Sequence, residues 1–292
     1  MEIREILRRA DRGRVDTPLI DAITNNVTVN DVAQTILSYG GKPMMIDDLR
    51  EIKEGVAISD GLYINIGTMG YEKGDSMILG ANVARENNIP VILDPIGVHV
   101  TKLRRKTVED ILNVGIKLIK GNLTEIKALI GVKSNFKGID SLDTQDFTPR
   151  LRKALRAYSK DNNCIIVITG KVDYITDGKR EVRVYNGVQD LSLVTGTGCM
   201  LGGMLAVECA KDLGEDTIFG VVKAILTMNI SSEIAKENNL GPDKVSEIIN
   251  LIDKMEMHFE NDDLIVDGEN IQDKITMPEI SSIVSAYASI PE

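Results

Sequence analysis

The stretch Val194-Thr195-Gly196-Thr197-Gly198-Cys199 runs directly into the mostly apolar segment Met200 to Ala210. Its paired glycines let the backbone turn tightly and leave the N–H groups uncovered by side chains. The segment that follows has a helical pattern, so those N–H groups fall at the positive end of a helix, ready to hold an anion. Cys199 stands in the first turn, where a thiol is most readily polarised. Such a set can receive a phosphoryl group in transit, with Gly196, Thr197 and Gly198 supplying amides and Cys199 meeting the reacting group. A glycine turn that only starts a buried helix fits the same residues.

A second constellation is Lys120-Gly121-Asn122-Leu123-Thr124-Glu125, which closes one apolar run and opens a helical one. Asn122 and Glu125 have the spacing of a capping box. They also suit Mg²⁺ and its waters, because magnesium commonly takes one or two carboxylates and keeps waters and phosphate oxygens. Lys120 offers a charged donor to phosphate. Spacing alone leaves both readings open.

These groups need a scaffold that brings them to one edge. Short apolar runs predict strands at Leu19 to Ile23, Pro43 to Ile46, Leu62 to Ile66, Val91 to Leu93, Ile116 to Ile119 and Ile165 to Thr169. Several end at Asn, Gly or Asp-Pro, as buried parallel strands do. Helical spacing lies between them. Asn30 is the expected cap for Val32, Ala33, Ile36 and Leu37, and Asp75 for the segment through Arg85. Thr148-Pro149 is a start signal, a cap followed by proline at the first helical position. Lys179 to Tyr185 reads as an edge strand or hairpin. Helices follow at Met200 to Lys211, at Thr217 to Glu237, and from Pro242-Asp243 through Val245, Ile248, Ile249, Ile252 and Met255. The alternation predicts an α/β fold, with a mostly parallel central sheet flanked by helices on both faces. In such sheets ligands sit at the carboxyl ends of the strands, here near Asn25, Gly67-Thr68, Asp94-Pro95, Gly121-Asn122 and Thr169-Gly170. No linker divides the chain, so residues 1–292 are expected to form one domain. The stretch from about 261 onward mixes turn and charge signals, with a short helical pattern at Ile280 to Ala286 and no assignable role.

Composition narrows the chemistry. A formal net charge of −10 with no basic stripe argues against nucleic acid. The cluster Lys102, Arg104, Arg105 and Lys106 reads as a solvated helix start. No run of eighteen apolar residues is present, and Met1 to Arg14 lacks the apolar block of a signal peptide, so no membrane partner is expected. The 3 cysteines form no CxxC pair and suit a reducing cytoplasm. Cys164 and Cys209 read as small core residues. His99 and His258 lie too far apart in sequence to build a histidine-based metal site or triad. Gly170-Lys171 lacks the glycine spacing and the hydroxyl residue of a P-loop, and Leu201 stands where a dinucleotide fingerprint needs glycine. A kinase outside the P-loop class fits better.

The chain resembles the hydroxyethylthiazole kinases, ribokinase-like enzymes of thiamine biosynthesis and salvage. The resemblance is carried by Ile23-Thr24-Asn25-Asn26-Val27 with Asn30, Pro43-Met44-Met45, Asn65-Ile66-Gly67-Thr68 and Asp94-Pro95-Ile96-Gly97. It continues through Lys120-Gly121-Asn122 with Glu125, Val167-Ile168-Thr169-Gly170 with Asp173, and Val194 to Cys199, all in the family's order over roughly Pro18 to Asn238. It implies transfer of the ATP γ-phosphoryl group to the primary hydroxyl of 4-methyl-5-(2-hydroxyethyl)thiazole. By position it implies that Lys120 and Thr169, with Asn122, contact ATP, and that Gly196 and Met45 line the thiazole site. Asn25 and Gly67 would shape the alcohol pocket, and Glu125 and Asp94 would organise Mg²⁺. Cys199 stands where related sugar kinases carry an aspartate. A homotrimer with the thiazole site between subunits is likewise implied. Val98, His99 and Val100 depart from the small residues usual after this Asp-Pro motif and are expected to narrow or reshape that loop, His99 being an ordinary loop residue. The rival readings are another ribokinase-like kinase, such as one acting on a hydroxymethylpyrimidine, and a nucleotide-binding regulator without catalysis.

Overall fold

The computed structural model describes residues 16–131, 147–211 and 214–237, and the backbone of 257–260, 263–266 and 269–270. The apolar runs form strands β1 (Leu19–Ile23), β2 (Lys42–Met44), β3 (Gly61–Asn65), β4 (Val91–Asp94), β5 (Leu118–Asn122) and β6 (Ile165–Thr169). Helices α1 (Val29–Ser38), α2 (Ile52–Ala57), α3 (Lys73–Glu86), α4 (Lys102–Val114), α5 (Leu123–Leu129) and α6 (Pro149–Asp161) alternate with them. Two antiparallel strands, β7 (Asp173–Thr176) and β8 (Glu181–Val184), precede α7 (Thr197–Lys211) and α8 (Thr217–Glu237). The 8-stranded sheet has the order β2-β1-β3-β4-β5-β6-β7-β8, and every pairing from β2 to β6 is parallel. The expected mostly parallel sheet with helices on both faces is therefore present.

Because strand side chains alternate between faces, each strand feeds two cores. Ile20, Ala22, Tyr63, Ile92, Leu118 and Val167 pack with α1, α7 and α8. The intervening Leu62, Ile64, Val91 and Leu93 pack with Met77, Ala81, Val108 and Ile111 of α3 and α4. Ile119, Ile166 and Ile168 pack with Leu151 and Leu155 of α6. This alternation sends Asn65, Asp94 and Lys120 to the same face as Tyr63, Ile92 and Leu118, beneath α7. Helix α8 is long and apolar enough to cross a membrane by length and composition, and 78% of that window is buried in the fold.

Local signals explain most boundaries. Thr148 Oγ1 accepts from Leu151 N with Pro149 at the first helical position, as its sequence predicts. Helix α1 instead starts at Val29, so Asn30 lies in its first turn rather than at the cap. The preceding Thr28 makes no side-chain cap; its hydroxyl turns to Asn25 and donates to Oδ1 at 3.1 Å. Helix α3 begins after Glu72, which leaves Asp75 in the first turn, where an acid still meets the positive helix end. Strand β7 was not expected. Its polar ends hide two β-forming residues, Tyr174 and Ile175, ahead of an Asp177-Gly178 turn with φ +83° at the glycine. A second sheet of 3 antiparallel strands was not expected: β9 (Met257–Glu260) follows the helical pattern read through Met255, and β10 (Asp263–Val266) and β11 (Glu269–Asn270) lie in the stretch from about 261 where turn and charge signals were read. The helix expected after Pro242 and the pattern at 280–286 fall outside the described residues.

Candidate active site

At the start of α7 the glycine elbow has the geometry its sequence suggests. Gly196 adopts φ +96°, open to glycine and strained for other residues. The first helical bond runs from Met200 N to Gly196 O at 2.8 Å, so the amides of Thr197, Gly198 and Cys199 precede the helix ladder. Thr197 Oγ1 donates to Leu191 O at 2.9 Å and ties the elbow to the preceding 3-10 turn. Thr195 is exposed and residues 196–198 are half-buried, so the elbow can be reached from outside, while Cys199 is buried.

Beneath this elbow lies a polar network that the strand alternation assembles. Asn65 and Asp94 are register partners across β3 and β4. Lys120 Nζ lies 2.8 Å from Asp94 Oδ2, and both side chains are buried. The Tyr63 hydroxyl donates to the same oxygen at 3.1 Å, and Asn65 Nδ2 donates to it at 3.2 Å. A Cβ built on Gly198 would meet Lys120 Nζ at 3.0 Å, so the ammonium stands directly under the elbow. Burial disfavours that ammonium, but the Asp94 carboxylate outweighs it and holds Lys120 above its ordinary value. Asp94 is itself raised by burial, against the pull of Lys120 and Tyr63. The Tyr63 hydroxyl is pushed well up by burial and by the Asp94 charge.

Cys199 is reached from β1. Asn25 Nδ2 donates to Cys199 Sγ at 3.2 Å and to Asn65 Oδ1 at 3.2 Å. The other end of that amide accepts from Val27 N, Thr28 N and Thr28 Oγ1, at 3.0, 3.1 and 3.1 Å. Those acceptor contacts leave Asn25 one orientation, with its donor facing the sulfur. Gly67 N donates to Asn65 Oδ1 at 2.9 Å, and a Cβ there would meet Asn25 Cβ at 3.0 Å. Asn25, Gly67, Asp94, Lys120, Gly198 and Cys199 are thus joined by contact. Met45 follows β2 and packs on the α7 side of the core, while Gly196 faces Thr28.

The helix-start reading of Asn122 and Glu125 is realised in full. Asn122 Oδ1 accepts from Glu125 N and Glu125 Oε2 accepts from Asn122 N, each at 2.9 Å. Glu125 Oε1 accepts from Gly97 N at 3.0 Å, which joins the start of α5 to the loop after β4. Burial and the nearby Asp94 raise the Glu125 carboxyl, and the Gly97 and Asn122 amides oppose them. Among the described residues no group of three or more His, Cys, Asp or Glu is placed to hold a metal. The donor set still fits a magnesium ion that keeps most of its waters and phosphate ligands. Asp94 Oδ1 is buried with no hydrogen-bond partner among the described residues, an acceptor awaiting a cation or its water. Thr169 lies opposite Asn122 in the β5–β6 register, at the same strand ends.

Other residues depart from their sequence reading or went unread. Arg104 is no solvated member of its basic cluster; it is half-buried and donates to the carbonyls of Ile66, Gly67 and Ile96. Lys102, Arg105 and Lys106 are exposed as expected. Val98 does not crowd the reacting centre, because it is buried in the core between α3 and α4, while His99 and Val100 are exposed. Tyr63 and Asn65 received no role from sequence; their signal is the polar pair at alternate positions of an otherwise apolar strand. Asp173, at the start of β7, accepts from Gly170 N at 3.0 Å and from Asn229 Nδ2 at 2.8 Å, and burial pushes its carboxyl up to about 6. It fixes the turn next to Thr169.

Comparison with known proteins points to one family and one fold. Residues 12–261 match the model of the hydroxyethylthiazole kinase family. A hydroxyethylthiazole kinase of Clostridium perfringens is 39% identical over 270 residues, covering 91% of this chain and 98% of its own length. The solved structure of a hydroxyethylthiazole kinase protein from Pyrococcus horikoshii OT3 superposes with a TM-score of 0.74 at 29% identity, over 90% of this chain and 98% of that one. A ribokinase-like superfamily protein from Enterococcus faecalis V583, at 13% identity, shares the fold with a TM-score of 0.60 over 86% of this chain and 94% of its own.

Proposed function

Because the chain belongs to the hydroxyethylthiazole kinase family, we infer that it transfers the γ-phosphoryl group of ATP to the primary hydroxyl of 4-methyl-5-(2-hydroxyethyl)thiazole. The observation that carries this reading is the meeting of three donor and acceptor sets at one point. The amides of Thr197 to Cys199, which precede the first helical bond, open α7, the Lys120 ammonium stands beneath Gly198, and Cys199 Sγ is oriented by Asn25.

Phosphoryl transfer asks mainly for positioning and charge stabilisation. The amides and Lys120 meet the charge on the moving group, and they are fixed before it arrives, so little reorganisation opposes the transfer. Asp94 keeps Lys120 protonated and holds its ammonium under the elbow. Asn25 fixes the sulfur by donating to it, so Cys199 can orient the alcohol and, as its thiolate, take up the hydroxyl proton while the alcohol oxygen bonds to phosphorus and the bond from phosphorus to ADP breaks. Thr169, with Asn122 across the strand register, belongs to the nucleotide side, and Met45, Gly67 and Gly196 belong to the thiazole side. Asp94 and Glu125 would hold Mg²⁺ through its waters, and when bound that ion neutralises phosphate charge.

The assembly we propose is a homotrimer with its sites between subunits. Val27, Tyr71, Val100 and Leu103 are exposed apolar residues on loops at the carboxyl end of the sheet or at the start of α4, where a second copy would cover them. The cysteines Cys164, Cys199 and Cys209 are buried and form no disulfide, which suits the reducing cytoplasm. The deciding experiment is ADP release with Mg²⁺, ATP and a panel of small alcohols. Thiazole-dependent release with a phosphorylated thiazole product supports the reading. Turnover only with a hydroxymethylpyrimidine reassigns the substrate, and ATP binding without any turnover makes the chain a regulator.

A further inference from the structure

Arg104 breaks a local rule. It sits in the first turn of α4, where Thr101 Oγ1 caps its amide at 3.2 Å, and a cation at a helix N-terminus opposes the helix dipole. Such a placement persists where other contacts outweigh it. The side chain reaches back over the strand ends. Nη1 donates to Ile66 O at 2.8 Å and to Ile96 O at 2.6 Å, and Nη2 donates to Gly67 O at 2.8 Å. These are charge-assisted bonds made in a fixed planar fork, which a lysine cannot copy.

The targets lie on both sides of the site. Ile96 O and Gly97 N are the two ends of one peptide plane. The guanidinium holds its carbonyl end, and Glu125 Oε1 holds its N–H end at 3.0 Å. A cation and a carboxylate are therefore joined through a single peptide, beside a glycine with φ +64°. From the same guanidinium, Nη2 reaches the carbonyl of Gly67, whose own N–H donates to Asn65 Oδ1 at 2.9 Å. Asn65 Oδ1 also accepts from Asn25, the residue that orients Cys199. One side chain thus ties the loop after β4, which contacts Glu125, to the loop after β3, which contacts the alcohol side.

We propose that Arg104 is a positioning residue for phosphoryl transfer, setting the distance between the Glu125–Asp94 half of the site and the Asn25–Cys199 half. The inference rests on the function proposed above. Without Arg104 each half keeps its own ligand contacts and Asn65 still bridges Asp94 and Asn25, but the Gly67 and Gly97 loops lose their common tie and the alignment of the halves loosens. Loss of alignment appears in kcat, because a displacement of about 1 Å between reacting groups costs on the order of 10²-fold. Binding of each substrate changes much less.

The test is steady-state kinetics of wild-type protein, Arg104→Ala, Arg104→Lys and the exposed neighbour control Lys106→Ala, with thermal melts of each. The expected result is a kcat at least tenfold lower in Arg104→Ala, with KM for ATP and for the alcohol each within about threefold of wild type. Arg104→Lys, which keeps the stem and the charge, loses at least threefold in kcat, and Lys106→Ala is unchanged. Should the alanine variant fail to fold, the lysine variant carries the same test. A kcat within twofold of wild type in a folded variant overturns the inference, and so does a rise in KM with kcat intact. Wild-type turnover separates the two readings. Absence of thiazole phosphorylation by wild type overturns the proposed function and this inference together, whereas active wild type with unaltered variants overturns the inference alone.

Discussion

Replacing Gly196 by alanine tests whether the elbow is built as described. A Cβ at this position would lie 2.4 Å from Thr28 Cγ2 and 3.1 Å from Thr28 Cβ, and the backbone has φ +96°. The left-handed backbone costs an alanine ~1–2 kcal/mol, and forcing an extra carbon into packed surroundings costs a further ~1–3 kcal/mol. The sum, ~2–5 kcal/mol, lowers Tm by about 10 °C in a chain of this size. Activity falls by more than this stability loss implies. Thr28 Oγ1 donates to Asn25 Oδ1 at 3.1 Å, and Asn25 donates to Cys199, so moving Thr28 moves the group proposed to meet the alcohol. The expected loss in kcat is on the order of 10²-fold. Thr28→Ser deletes the clashing methyl and keeps the hydroxyl. The double variant Gly196→Ala/Thr28→Ser is therefore expected to regain the steric part, ~1–3 kcal/mol, and about tenfold in kcat, leaving the backbone strain behind. Thermal melts and ADP-release kinetics on the four proteins of this cycle measure both effects. A Gly196→Ala protein as stable and active as wild type refutes the reasoning, as does a double variant no better than the single one.

The buried Asp21 supplies a pH signature. Its carboxyl is fully buried, accepts from Ile46 N at 3.0 Å through Oδ1, and is pushed by burial from 3.8 to about 7. A raised carboxyl keeps its proton in the folded state while the unfolded chain has released it, so stability falls as pH rises between about 4 and 7 and levels off above. Asp21→Asn removes a slope worth on the order of 4 kcal/mol; urea titrations at pH 5 and pH 8 check this, and an equal slope in both proteins contradicts it. Cys199→Ala is expected to slow turnover by about 10²-fold without abolishing it, since the amides and Lys120 remain. Complete loss of turnover, with folding and ATP binding intact, would show the thiol to be indispensable. Light scattering on a sizing column is expected to give a trimer mass, and Tyr71→Glu with Val100→Glu is expected to dissociate it; a monomeric wild type removes the proposed assembly.

Most of the sheet was legible because its signal is local. β1, β3, β4, β5 and β6 grow from short apolar runs whose length and ending declare a buried parallel strand, whereas β2 is a partly exposed edge strand one residue ahead of the run read there. Thr148-Pro149 and Asn122 with Glu125 declare helix starts through contacts three residues apart. Long-range contacts were not legible. Nothing near Arg104 announces that its fork reaches Ile66 and Gly67, 38 and 37 residues away. Its charged neighbours made it look like one more solvated base. Thr28 and Asn30 show the same limit from the other side. The cap position went to a residue whose hydroxyl was already engaged by Asn25, and only the folded loop reveals that. The proposed site residues Lys120, Asp94 and Cys199 could be named from the chain, but their meeting depends on strand register and on α7 crossing the sheet. Tyr63 was hidden for a related reason, since an aromatic in an apolar strand reads as core until its hydroxyl is found on Asp94.

The central claim is that the amides opening α7, with Lys120 beneath them, cradle the phosphoryl group as it passes to an alcohol held near Cys199. A crystal structure with ADP, Mg²⁺, a fluoroaluminate mimic of the moving group and the thiazole alcohol measures this directly. The account predicts the aluminium fluoride within hydrogen-bond distance of the Thr197 to Cys199 amides and of Lys120 Nζ, with the alcohol oxygen on its far side from ADP. A mimic bound elsewhere, with the elbow amides facing only solvent, would contradict it.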